Sequence, residues 1–164
     1  LRVANVLRGH LDLAEIKSVG KLPGDNAYQL LAGDVLVVEG HANPEQIGRA
    51  AIWNDERSEM YHQNHLIRVR CATSLNPEYL CLLVNSLHGQ AYFRSRAKST
   101  SGLSTINSTV VKQYTLPVPT PTLQLGMIEK FSAGRLLLHE VENRHKDLER
   151  LRLEVSTRLY EEPK

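Results

Sequence analysis

Leu116-Pro117-Val118-Pro119-Thr120-Pro121 divides this chain into two parts of different character. Three prolines in five residues can continue neither a helix nor a sheet ladder, so they mark an extended joint over 117–121. Residues 122–160, beyond it, hold no proline and only Gly126 and Gly134. Leu138, Val141, Leu148, Val155 and Leu159 fall there on one heptad seam, flanked by Leu137 and Leu151 and interrupted by His145 and Arg152. Charged residues such as Glu140, Glu142, Arg144, Lys146, Asp147, Glu149 and Arg150 fill the other faces. The pattern predicts one helix over 122–164, roughly 55 Å long at 1.5 Å per residue across its periodic part. A seam on so long a helix requires a partner helix, from a second copy or from another part of the same protein. The pairing face is expected at Leu138, Val141, Leu148, Leu151, Val155 and Leu159.

Before the joint, residues 1–116 read as one mixed, strand-rich domain, which makes the chain α+β. Asp34-Val35-Leu36-Val37-Val38-Glu39 lies between Gly33 and Gly40 and predicts a buried strand. Ile47–Trp53 and Leu66–Cys71 are further strand candidates. Asn76-Pro77 offers an N-cap and a first-turn proline. Tyr79, Leu80, Leu83, Val84 and Leu87 follow at helical spacing, predicting a helix over 77–87. Gly89 is expected to interrupt, with a second helix over 91–98. Ser99-Thr100-Ser101-Gly102 reads as a turn, and Val110-Val111 and Leu116-Pro117-Val118 as extended chain.

Composition narrows the function. The 164 residues carry a net charge of +2, too little to name a nucleic-acid partner by itself. Residues 1–112 hold 12 basic and 10 acidic side chains, and 113–164 hold 8 of each, so any useful field is local. Aromatics are 5%, too few for a single-strand stacking platform. No run of about 18 apolar residues spans a membrane, and the first twenty residues carry no secretory signal. Cys71 and Cys81 lack metal-ligand spacing. A cytoplasmic location is expected.

Catalytic signatures are weak. Asn76-Pro77-Glu78-Tyr79 departs from the Asn-Pro-Pro-Tyr loop of adenine methyltransferases, and no Gly-x-Gly cofactor loop accompanies it. Asp34 and Glu39-Gly40-His41 lack the second acidic cluster of a metal-dependent nuclease. His62 and His65 have an odd spacing at a strand entry, which sends their side chains apart. No Gly-x-Ser-x-Gly elbow is present. No catalytic residue, metal site or cofactor is expected.

Binding chemistry is better represented. Arg94, Arg96 and Lys98 put three cations in five residues, followed by the hydroxyls of Ser99, Ser101 and Ser104, a combination suited to a phosphate backbone. Gln46, Arg49, Gln63 and Asn64 carry the amide and guanidinium forks that match adenine and guanine edges.

The order of the segments sharpens this. Gly33–Val38, Ile47–Ile52 and His62–Val69, then Asn76-Pro77-Glu78-Tyr79-Leu80, then Ser101-Gly102-Leu103-Ser104-Thr105-Ile106-Asn107 leading into Leu116-Pro117-Val118-Pro119 and Gln124, resemble a target-recognition domain of type I restriction–modification specificity subunits. The resemblance covers residues 33–124. It departs from the family in lacking a glycine-threonine-proline segment upstream. Only one recognition domain and one helical arm stand where that family has two of each, so a half subunit or a fragment is expected. The resemblance implies sequence-specific binding of double-stranded DNA, with no catalysis. It also implies docking onto methyltransferase and restriction subunits and antiparallel pairing of the helix with a second arm, in a homodimer or with the other half of the subunit. Two alternatives are the recognition part of a fused restriction–methylation enzyme and a coiled-coil assembly module.

Overall fold

The computed structural model of the chain describes residues 1–20, 27–54, 59–100 and 102–161, without the side chains of Thr100 and residues 158–161. The fold is α+β; the described residues form two small antiparallel sheets, three short helices and a long C-terminal helix. The chain divides into two compact units, Leu1–Leu125 and Gly126–Lys164.

The first unit is organised by β1 (Asp34–Val38), whose five residues are all buried. The alternation of side chains along a strand explains why five non-alternating residues can all be inside. Val35 and Val37 face one cluster with Ile47, Ala50, Leu80, Cys81, Val84, Phe93 and Ile106. Leu36 and Val38 face a second, with Leu1, Val6, Leu30, Ala51, Trp53 and Leu66. β1 is therefore the central strand of its sheet. Val35 pairs with Ile52 of β3 (Ala50–Trp53) on one side and with Val69 of β4 (Leu66–Val69) on the other. Both partners are shorter than the sequence suggests. Ile47 is buried but precedes the ladder, because Gly48 at φ +72° bends the chain ahead of Ala50.

Asp34 begins β1 almost fully buried, and Arg70 grips it with a two-pronged bond of 2.8 Å on each carboxylate oxygen. The Leu31 amide donates a third bond at 2.8 Å. Burial by itself would raise this carboxyl; the Arg70 fork and the Leu31 N–H outweigh it and hold the group below the ordinary Asp value.

β1 leaves its sheet at Glu39 and continues as β2 (Gly40–His41), which pairs with β6 (Leu103–Thr105); β6 in turn pairs with β5 (Lys98–Thr100). Ser99-Thr100 is thus strand rather than turn, because Ser99 and Thr100 find ladder partners in Ser104 and Leu103.

α1 (Pro77–Asn85) begins as the sequence predicts, with the Asn76 side chain accepting from the Glu78 amide and Pro77 in the first turn. α2 (Leu87–Arg96) starts earlier than expected and runs through Gly89. The interruption is Ser86, whose hydroxyl accepts from the Gly89 amide and donates to the Leu83 carbonyl. Gly89 is needed for proximity, since a Cβ there would lie 2.3 Å from the Val84 carbonyl oxygen. Val110 and Val111 lie in a short helix, α3 (Ser108–Lys112), and not in extended chain. Asn107 caps it through the Val110 amide, and this local bond outweighs the β-branched preference of the valine pair.

The long helix α4 spans Pro121–Glu161 and opens on proline, where the missing N–H is harmless. In the second unit Leu136, Leu137, Leu138, Val141, Leu148, Leu151, Leu153 and Val155 are all exposed. Arg144–Glu140 at 2.7 Å and Arg150–Asp147 at 3.3 Å brace the helix surface. Leu159 lies outside the described side chains. No described helix is long and apolar enough to cross a membrane.

Candidate nucleic-acid interface

Antiparallel pairing brings the four candidate base readers to one end of the central sheet. Val38, the last residue of β1, pairs with Leu66, the first of β4, and Val37 pairs with Ala50, the first of β3. The segments entering β3 and β4 therefore lie beside the exit of β1. The first carries Gln46 and Arg49, the second Gln63 and Asn64. The N-terminal turn Leu7–His10 joins them, its Gly9 amide donating to the Ala50 carbonyl.

The segment entering β3 contains a single 3-10 turn, Pro44–Gln46, started by Asn43, whose side chain accepts from the Glu45 amide. Three arginines from separate parts of the sequence hold this turn. Arg49 donates to the Gln46 side chain at 2.8 Å and to the Val3 carbonyl at 3.0 Å. Arg8 donates to the Glu45 carbonyl oxygen at 2.8 Å. Arg94 makes a 2.6 Å ion pair with the Glu45 carboxylate. Arg49 is only 7% exposed, and burial followed by repulsion from Arg8 pushes its guanidinium below the ordinary arginine value. It supports Gln46 from beneath and is not offered to solvent, unlike a side chain free to read a base.

The cationic stretch is split between two elements. Arg94 and Arg96 end α2, where cations complement the helix dipole. The exposed Arg96 guanidinium sits over the Tyr92 ring, its carbon 3.8 Å from the ring centre, a cation–π contact. Tyr92 is itself fixed, donating to the Val110 carbonyl and meeting Phe93 edge-on and Tyr114 at a tilt. Lys98 is exposed at the start of β5. The Ser99 and Ser104 hydroxyls bond each other at 2.7 Å, with Ser99 exposed and Ser104 buried. Ser101 lies outside the described residues.

Gln63 and Asn64 are exposed on the turn closed by the Leu66 amide on the Gln63 carbonyl. The two histidines beside them have separate surroundings. His65 is 3.2 Å from Glu39, whereas His62 rests edge-on against Tyr28.

Arg8 and Glu45 belong to this surface and carried no signal in the sequence. Arg8 is a lone cation beside a glycine, and the bond from the Gly9 amide to the Ala50 carbonyl sets it at the β3 entry.

No family model matches the chain. Among curated proteins, one from Methanocaldococcus jannaschii is 26% identical over 122 residues, covering 72% of this chain and 28% of its own length. The chain thus spans little more than a quarter of that relative. Over most of its length, it is similar to a protein named as a type I restriction enzyme specificity subunit.

Proposed function

We propose that this chain recognises a double-stranded DNA sequence as the non-catalytic specificity component of a cytoplasmic type I restriction–modification complex, directing methyltransferase and restriction subunits. The observation that carries the reading is the likeness to a specificity subunit across 122 residues. The gathering of amide and cationic side chains at one end of the sheet supports it.

Residues 1–116 form the recognition domain in this reading, 117–121 the joint and 122–164 the pairing helix. Gln46, Gln63 and Asn64 face base edges. Arg49 acts by holding Gln46. Arg94, Arg96, Lys98 and Ser99 hold phosphates, with Ser101 beside them and Ser104 fixing Ser99. A cation on the backbone contributes equally on every sequence, whereas a fork on a base edge contributes only on the right one. Arg96→Ala is expected to weaken binding to specific and random duplexes alike and to reduce the salt slope by about one. Gln63→Ala is expected to cost roughly 1–3 kcal/mol on the specific site and little on random DNA. Salt titrations of the chain with its methyltransferase subunit, on both duplexes, measure this. An Arg96 variant impaired only on the specific site would remove that residue from the backbone contacts.

The exposed leucines and valines of α4 support pairing with a second helical arm. We place Leu138, Val141, Leu148, Leu151, Val155 and Leu159 in the contact, in a homodimer of this chain or against the other half of a longer subunit. A symmetric pair would present two recognition domains. Val141→Glu with Leu148→Glu should convert dimer to monomer in light scattering; an unchanged mass would exclude the seam.

A further inference from the structure

The Pro44–Gln46 turn is held by three cationic side chains but carries one acid, Glu45. The imbalance leaves hydrogen-bonding capacity unused. Among the described residues, Arg8 Nη1 and Arg49 Nε are buried without a hydrogen-bond partner, and Arg49 is only 7% exposed. Buried cationic donors without acceptors are costly, so the cluster favours more negative charge than Glu45 supplies. The acid it has is loosely held. Arg94 and Glu45 are 51% and 57% exposed, and an ion pair in that setting is worth little. The fold of the turn does not need the carboxylate either, because Asn43 caps it through the Glu45 backbone amide.

We propose that Glu45 is a built-in stand-in for a DNA phosphate. In the free chain its carboxylate occupies Arg94; on a duplex, a backbone phosphodiester takes over the Arg94 guanidinium and Glu45 swings away. Arg8 and Arg49 set the positive potential that receives the phosphate. This rests on the duplex-binding reading above and adds two residues to it, Arg8 as a contributor and Glu45 as a competitor. The exchange gives Gln46, next to Glu45, a position that depends on whether a phosphate is seated.

The test is fluorescence anisotropy of a labelled random-sequence duplex at low salt, with the full chain and its methyltransferase subunit. Glu45→Gln keeps the turn and removes the competitor, so binding should tighten about two- to fivefold. Arg8→Ala and Arg94→Ala should weaken it. In an Arg94→Ala background, Glu45→Gln should change nothing, because no guanidinium remains to be released. Unfolding followed by Trp53 fluorescence should be unaltered in the Glu45 variant. Weaker or equal binding by Glu45→Gln would overturn the proposal. So would equal tightening with and without Arg94, which would mean general repulsion. If the unsubstituted chain bound no duplex, the broader reading would fall with it; binding by that chain alongside an inert Glu45→Gln would remove only the stand-in.

Discussion

Gly48→Ala is expected to destabilise the first unit by about 2–5 kcal/mol, enough at the upper end to unfold a marginal domain. Two costs add at this position. Gly48 has φ +72°, where a Cβ costs about 1–2 kcal/mol. The Cβ would also lie 2.5 Å from Cγ and 2.6 Å from Cβ of Phe93, a fully buried side chain. Phe93 cannot withdraw, because it is wedged between β1 residues on one side and Tyr92 and Tyr114 on the other. Overpacking of that kind adds about 1–3 kcal/mol. The single tryptophan, Trp53, is buried in the other cluster and reports global unfolding. Denaturant titration of its fluorescence should show a lower midpoint with an unchanged slope. A loss below about 1 kcal/mol would mean that the turn shifts freely and that Phe93 does not anchor it. The consequence reaches the candidate interface, because Gly48 joins the Pro44–Gln46 turn to β3. If the proposed duplex binding holds, any surviving folded variant should bind DNA more weakly through a displaced Gln46.

The sequence made legible those features whose physics is local or periodic. The run at 34–38 announces a central strand because both faces are apolar, and Asn76-Pro77 announces a helix start because cap and ring act within one turn. The long helix follows from its absence of breakers. What escaped depends on contacts made far along the chain. Ser86 reads as an ordinary polar residue until its hydroxyl is seen capping α2. Ser99 and Thr100 look like turn formers until β6 pairs with them. Arg49 has the chemistry of a base reader, yet its burial depends on Val3, Gln46 and the start of β3 arriving together. Arg8 comes to the candidate interface through the bond of its neighbour Gly9 to the Ala50 carbonyl, far along the chain. A guanidinium's donors are visible in a sequence; which carbonyls they meet is not.

Gln124→Leu should cost about 3–5 kcal/mol, although it replaces a buried polar group with an apolar one of similar size. Gln124 is 0% exposed, and its carboxamide is fully engaged. Its nitrogen donates to the Ser74 and Pro119 carbonyls at 2.8 Å each, and its oxygen accepts from the Asn76 amide at 2.8 Å. One side chain therefore ties the first turn of α4 to the loop that caps α1 and to the proline joint. Leucine would leave one amide and two carbonyls without partners, at about 1–3 kcal/mol each before relaxation. Gln124→Glu separates this cause from simple packing. A carboxylate oxygen would face the two carbonyls that the nitrogen now serves, so the buried group is stable only when protonated. Its folded pKa must then lie above the unfolded value of about 4.3. The sign follows. Below that value both states are protonated and the penalty is small; as pH rises above it, the unfolded chain ionises first and stability falls until the folded carboxyl ionises too. Urea titrations at pH 4 and pH 7, followed through Trp53, should show the Glu variant closest to the unsubstituted chain at the lower pH. The Leu variant should show no such recovery. A Glu variant equally stable at both values would mean that water reaches the site, and that Gln124 does not tie α4 to the α1 cap from inside the core.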